Sequence, residues 1–304
     1  MFRRVQKRER ESSNGEPPYE ERAAERDLAR RFLPMELLEL LGVQGDFLTY
    51  QDILMRQQEL WTVIFHADVA GFSEFVREMQ TSEAYLYINE MLSCSIPRIN
   101  DNGGIIDTIH GAGVVALFAD CMRGGIDAAI AVCEAVKDRR YSVGLCYGPV
   151  IVGVVGSGSR LAVQTLSAYT GLGSFLQQLG PKYYARILAV GSYTDRVEDF
   201  ERKYNHRMLG YIYIKNANRA EKIFDIFDGD EAAVRNRKRR TKMLFEKGVL
   251  FFTRREFAEA RTYFIEVLKA DRDDRAAREY VFLCDRCSDM AAGEPSPDIY
   301  LECY

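Results

Sequence analysis

Between residues 60 and 228, short apolar runs and longer amphipathic stretches alternate in an order that few folds can accommodate. The runs "WTVIFHADV", "GGIIDTIH", "GVVALF", "YSVGLCYG", "ARILAV", "RMLGYIYIK" and "EKIFDIF" read as strands, being short and rich in β-branched and aromatic residues. Helical periods fall at about 73–100, 122–138 and 165–180. The series therefore opens strand, helix, hairpin, helix, strand. That order predicts a ferredoxin-like (βαββαβ) α+β sandwich with helices covering one sheet face.

The chain has 304 residues, room for one medium domain with attachments. Residues 1–19 are polar, with Gly15, Pro17 and Pro18, and predict a disordered tail. Within 20–59, "EERAAERDLARRFLPMELLELLG" carries a stripe of Leu28, Phe32, Leu37, Leu38 and Leu41, interrupted at Pro34, and predicts an N-terminal helix and linker. After the main domain at 60–228, residues 229–290 read as two antiparallel helices and the start of a third. Gly248, Phe251, Ala260 and Phe264 there match the spacing of the small and aromatic positions of a tetratricopeptide repeat. One such repeat cannot bury its own faces, so it must dock on the main domain or on a partner. Its basic opening, Arg235 to Lys242, reads as a solvated helix start. Residues 291–304 form a tail.

A formal net charge of −4 lacks the basic footprint of a nucleic-acid binder, and 47% hydrophobic residues is a globular composition. No apolar run approaches the roughly 20 residues of a membrane helix, and the N-terminus "MFRRVQKRERESSNGEPPYEER" has no apolar signal region, so a cytoplasmic protein is expected. The cysteine count, seven, is odd, which argues for reduced thiols over a disulfide framework. Cys284 and Cys287 have a ligand-like spacing, but no second pair follows, so they read as two cysteines of one helix.

The chemistry centres on two places. Asp68 closes the strand "TVIFHADV" and is followed by Val69, Ala70, Gly71 and Phe72, where a helix begins. A carboxylate at a strand end beside helix N-terminal amides suits Mg²⁺ held against a polyphosphate; a helix-capping aspartate accounts for it equally well. The second place is "IIDTIHGAGVVALF", a hairpin whose tip is His110-Gly111-Ala112-Gly113. Hairpins of this outline often carry an acid at the tip, and this one does not.

Taken together and in order, these stretches resemble the class III adenylate and guanylate cyclase family. "FHADVAGFSEF" is similar to its first metal motif, "NGGIIDTIHGAGVVALF" to its central hairpin, and "VGLCYGPVIVGVVGSGSRL" to the strands and turn that follow. "RILAVGSYTDRV" and "RMLGYIYIKNANRAEKIFDIF" are similar to its closing strands. "RRFLPMELLELLG" resembles the linker ahead of many bacterial cyclase domains, and "FEKGVLFFTRREFAEARTYFIEVLKADRDD" the repeat that trails them. The resemblance spans about residues 28 to 287.

It implies a site at the interface of two catalytic domains. One domain brings two aspartates for two metals, Mg²⁺ or Mn²⁺; the other brings a base-reading lysine with an aspartate or threonine, plus an asparagine and an arginine. Asp68 matches the first aspartate, and Val69 to Phe72 the phosphate-holding turn. The second aspartate falls on Ala112, the lysine on Thr108, its partner on Gln164, the asparagine on Gly171 and the arginine on Phe175. A methyl, a hydrogen and a phenyl ring cannot replace a metal ligand, an amide and a guanidinium.

The expectation is a pseudocyclase with no catalytic residues of its own, a regulatory or dimerisation subunit that pairs with itself or with another cyclase domain and binds ATP or GTP weakly. Two alternatives stand beside it. One is an active adenylate or guanylate cyclase in which His110, Asp107 and Asp120 substitute; against it, Asp107 reads as a surface residue, Asp120 as a helix cap, and His110 as following the apolar face of its strand. The other is a pure interaction module working through the N-terminal helix and the C-terminal repeat.

Overall fold

A computed structural model describes residues 35–41, 56–157, 160–215, 218–288 and 302–303. The expected N-terminal tail, the expected C-terminal tail apart from residues 302–303, and most of the expected N-terminal helix lie outside these residues. What is described of that helix is α1 (Met35–Leu40), which lies beside β2 and buries Leu37 and, at its end, Leu41.

The domain is built on a twisted open sheet. β1 (Gln57–Val69) is followed by α2 (Phe72–Arg77), α3 (Thr81–Asp101), the hairpin β2 (Ile105–His110) and β3 (Gly113–Phe118), α4 (Gly124–Ala135) and β4 (Tyr141–Ser157). Then come β5 (Arg160–Leu166), α5 (Ala168–Leu179), β6 (Ile187–Val190), the single turns α6 (Gly191–Thr194) and α7 (Phe200–Lys203), β7 (His206–Ile214) and β8 (Arg219–Ile226). Among the described residues the sheet order is β2-β3-β1-β4-β6-β8-β7-β9, with β5 paired to β4 and β9 being Glu302–Cys303. The first four strands stand in the order of a βαββαβ unit, and β1 runs antiparallel to both β3 and β4.

Strand alternation assigns the helices to faces. Val63 points at Gly125 of α4, whereas Ile64 and His66 point at Gly173 of α5. The two helices therefore cover opposite faces, where the sequence predicted a single covered one. On the first face, α3 buries Met91, Ser95 and Ile99 at four-residue spacing. On the second, α5 buries Leu172, Leu176 and Leu179 and is capped by Ser167, whose Oγ accepts from the Tyr169 N–H at 3.0 Å. The approach of α5 to β4 is close enough that a Cβ on Gly144 would stand 2.1 Å from the Gly173 carbonyl oxygen.

Three boundaries differ from expectation. The predicted helix 73–100 is two helices, because Gln80 opens α3 with a reciprocal capping box to Glu83. The strand predicted at 141–148 runs on to Ser157 and folds back as β5, where the tandem glycines had masked the alternation; the following helix starts at Ala168. Asp120 is exposed and caps nothing, since Arg123 occupies the N-cap of α4.

Beyond the sheet, α8 (Ala232–Thr253), α9 (Phe257–Ala270) and α10 (Arg275–Ser288) pack in sequence. Their core is aromatic: the Phe264 and Tyr280 rings stack at 4.4 Å, with Phe245 and Phe252 edge-on. Gly248 makes room for the Phe264 ring, which would lie 2.8 Å from a Cβ there. The helices dock on β7 and β8 through a buried ion cluster. Arg207 of β7 reaches Asp225 of β8 at 3.0 Å and Asp274 at 2.5 Å, and Lys238 of α8 reaches Asp225 at 2.9 Å and Asp230 at 2.8 Å. The Tyr280 hydroxyl donates to the Leu209 carbonyl at 2.9 Å. Cys284 and Cys287 both sit on α10, as expected. None of the described helices is long and apolar enough to cross a membrane.

Candidate functional site

The tight turn after β1 positions the cleft. Asp68 faces Ser142 across the β1–β4 ladder, and Val69 faces Tyr141. The Ala70 N–H donates to the Arg140 carbonyl at 2.9 Å, and Gly71 takes a left-handed φ of 68°, which turns the chain into α2. Beside it, the β2–β3 hairpin places Gly111 and Ala112 at its turn. A Cβ on Gly113 would lie 2.7 Å from Asp68 Cγ and 2.7 Å from His110 Cε1, so the tip and the aspartate are in contact. Ala112 is 0% exposed.

An open cleft of about 780 Å³ lies over this junction, lined among others by Asp68, Val69, Ala70, Gly71 and Phe72, all five residues expected from the sequence. His66, Glu74, His110, Gly111 and Gln177 complete its polar wall.

Asp68 is the centre of that wall. Its Oδ1 accepts from the Val69 N–H at 2.7 Å, and its Oδ2 lies 3.8 Å from His110 Nδ1. Burial raises its pKa, while the Val69 N–H and His110 pull the other way. Gln177 of α5 donates to the Asp68 carbonyl at 3.0 Å and to Ser142 Oγ at 3.1 Å, tying α5 to the ends of β1 and β4. His66 lies on the same side of β1 as Asp68, two residues earlier. Burial, and secondarily His110, push its pKa down to about 4, and its Nδ1 has no hydrogen-bond partner among the described residues. The two imidazoles lie 5.2 Å apart. His110 does not follow an apolar face: its side chain is 40% exposed and turns toward Asp68.

The turn expected from the sequence to hold phosphate is partly committed. The Val69 N–H goes to Asp68 and the Ala70 N–H to Arg140, which leaves the Gly71 and Phe72 amides of the expected four without a hydrogen bond among the described residues. Asp68 is also not a helix cap, since the N-cap of α2 is Gly71.

The remaining positions marked by the resemblance gather on β2, β5 and α5. Thr108 and Gln164 are exposed; Asp107 accepts from Thr108 Oγ1 at 3.1 Å and from Thr165 Oγ1, the neighbour of Gln164, at 2.5 Å. Asp107 is thus a half-buried bridging acceptor, not a plain surface residue. Gly171 and Phe175 sit on α5, the first exposed and the second packed against the core. Sequence reasoning passed over His66, Glu74 and Gln177. His66 carried a signal, the two-residue strand period shared with Asp68; Gln177 is brought in only by tertiary packing.

The comparisons with known proteins agree with this geometry. No family model matches the chain. A terminal-differentiation-specific adenylate cyclase of Dictyostelium discoideum is 24% identical over 270 residues, covering 84% of this chain and 12% of that protein. An adenylate cyclase of Anabaena cylindrica is 25% identical over 186 residues, 55% of this chain and 36% of that protein. The chain thus spans about a third or less of the length of these relatives. Among solved structures, a bacterial light-regulated adenylyl cyclase superposes with a TM-score of 0.56 at 16% identity, covering 70% of this chain and 64% of that one, which is a likeness of fold.

Proposed function

Kinship with the class III adenylate and guanylate cyclases is the premise from which we propose that this chain is a catalytically degenerate member, a pseudocyclase acting as a regulatory or dimerisation subunit in cyclic-nucleotide signalling. The observation that carries this reading is Ala112. Ala112, fully buried, is a methyl at the hairpin turn, where the family pattern puts its second metal-binding carboxylate, and its neighbour Gly113 is the residue whose Cβ would touch Asp68.

The donor set agrees. Mg²⁺ and Mn²⁺ want several oxygen ligands in a near-octahedral shell. Asp68 is one carboxylate with one oxygen already bound to the Val69 N–H, and no group of three or more His, Cys, Asp or Glu among the described residues is placed to hold a metal ion. The residues present do not fit a metal pair. Cyclisation depends on positioning and on neutralising charge that builds on phosphate, and the Thr108, Gly171 and Phe175 positions supply no cation. Weak binding of ATP or GTP in the cleft, without turnover, would rest on the Gly71 and Phe72 amides and on His110.

A pairing role is supported by an apolar face. Trp61 of β1 and Ile151, Val155 and Leu166 of the β4–β5 hairpin share one side of the sheet by register and are all exposed. Such a patch marks an association surface. In the same proposal, residues 60–228 are the cyclase-homology domain and 229–290 a tetratricopeptide-like extension, whose Met243, Leu250 and Phe282 stand exposed to a protein partner.

The test is direct. The purified chain, given ATP or GTP with Mg²⁺ or Mn²⁺, makes no cyclic AMP or cyclic GMP, and nucleotide raises its melting temperature only slightly. Robust product from the unmodified chain, lost in Asp68→Ala, would overturn the reading.

A further inference from the structure

A second cavity, of about 350 Å³, opens where the sheet domain meets the helical extension. Three segments build it: the α4–β4 loop with Arg139 and Arg140, the α5–β6 loop with Tyr184 and Arg186, and the first residue of α10, Arg275. No carboxylate lines it.

Charge accounting leaves the cavity positive. Arg139 pairs with Glu231 at 2.9 Å and Arg140 with Asp138 at 2.6 Å. Arg186 has no carboxylate partner among the described residues. It donates to the carbonyls of Cys133 and Val136, at 2.5 and 2.7 Å, and its buried Nε has no hydrogen-bond partner among the described residues. The Arg275 guanidinium rests on the Tyr184 ring, 5.1 Å from its centroid, again with no carboxylate partner among the described residues. The nearby carboxylates Asp230 and Asp274 are already engaged by Lys238 and Arg207. Two of the four guanidiniums are therefore uncompensated.

Tyr184 organises this arrangement. It holds a left-handed φ of 55°, unusual for a residue with a bulky side chain. Its hydroxyl accepts from Arg139 Nη1 at 2.6 Å, its carbonyl accepts from Lys238 Nζ at 3.3 Å, and the Arg139 guanidinium also lies 5.1 Å from its ring centroid. Guanidinium forks set around a cavity of small-ligand size match the oxygens of a phosphate group.

We propose that this cavity is a binding site for a free, phosphate-bearing small molecule of diphosphate-like charge, separate from the cleft at Asp68. Arg140 connects it to that cleft. The Arg140 carbonyl takes the Ala70 N–H, and its guanidinium sits 3.7 Å from the ring centroid of Phe75 on α2.

Calorimetric titration of the full chain with pyrophosphate, in buffer containing a chelator so that the cleft holds no divalent cation, tests the proposal. The expected result is saturable one-to-one binding that weakens with added salt. Arg275→Ala and Arg139→Ala, each checked for an unchanged thermal melt, weaken it at least tenfold, and Arg275→Lys restores only part because the fork is lost. Asp68→Ala leaves the affinity within twofold. The proposal falls if the unmodified chain shows no saturable binding into the millimolar range, or if Asp68→Ala abolishes binding while the folded arginine variants keep it. Binding confined to phosphoinositide-containing vesicles, with none of free pyrophosphate, would overturn it as well. Because the assay needs neither metal nor turnover, its outcome is independent of whether the chain is a pseudocyclase.

Discussion

Replacing Arg207 by methionine tests whether the helical extension and the sheet are one folding unit. The buried cluster holds two cations, Arg207 and Lys238, against three carboxylates, Asp225, Asp230 and Asp274, a formal balance of −1. Arg207→Met takes it to −2 with the whole cluster still out of water, since Arg207 is 1% and Asp225 0% exposed. Burial pushes the Asp274 pKa up, and Arg207, with the Ala277 N–H and Lys238, holds it below the ordinary value; the variant removes the main part of that opposition. Breaking a buried pair from one side costs about 3–5 kcal/mol. The upper end applies here, because Arg207 also lies 4.2 Å from the Phe245 ring centroid. Against a total stability of about 5–15 kcal/mol this is large. With a urea m-value of about 3 kcal/mol per molar, the midpoint should fall by about 1 M or more. Asp274→Asn leaves two cations facing two carboxylates and keeps a side chain able to accept the Ala277 N–H, so its cost should be about 1–3 kcal/mol. Two probes read the transition. Trp61, the single tryptophan, reports on β1, and far-ultraviolet circular dichroism reports mostly on the helices. Both curves should coincide in the parent and shift together in each variant. A helix signal that melts ahead of an unmoved Trp61 transition, or a cost below about 1 kcal/mol for Arg207→Met, would refute the shared-cluster argument.

Three further outcomes are expected. Ala112→Asp alone should yield no cyclic nucleotide by chromatographic assay, because one missing cationic stabiliser is worth about 10³ to 10⁵ in rate; mixed with a cyclase chain that keeps the base-reading half, it should give measurable product. Burial drives the Asp138 pKa up, and its hydrogen bonds to Arg140 and Tyr87 together pull it down further, to about 2, below its ordinary 3.8. Its contribution, about 2 kcal/mol, is therefore complete above pH 4 and fades as pH falls toward 2; an acid-unfolding curve with the same slope in Arg140→Ala as in the parent would contradict this. Ile151→Glu, which puts a charge on the exposed β1–β4–β5 face, should reduce any self-association seen by sedimentation at least tenfold while leaving the melt of the monomer nearly unchanged.

The sequence made the strand order legible because its apolar runs are short and separated by strong turn chemistry, as at His110-Gly111-Ala112-Gly113 and after Asp68. It also put Asp68 and the hairpin tip in one place, since both follow from pairing β1 with β3. What it hid was tertiary. The β4–β5 fold-back was obscured by glycines that interrupt the alternation, and the opposite placement of α4 and α5 follows from which face of β1 meets Gly125 and which meets Gly173. Gln177 reaches Asp68 across a sequence distance of 109 residues, and the arginines around Tyr184 come from three separate segments, so no local pattern announces either. The ion cluster was invisible for the same reason, and Lys238 had read as part of a solvated basic run.

The near-contact of Gly144 with the Gly173 carbonyl bears on whether cyclase chemistry could be written into this scaffold. With backbone against backbone there and Gln177 bridging Asp68 and Ser142, α5 has no room to slide or rotate over β4. Gly171 and Phe175, one turn apart on that helix, are consequently held in a fixed attitude to the sheet. Installing an asparagine and an arginine at those two positions would then be a question of rotamers alone, because the frame that would aim such side chains is already rigid.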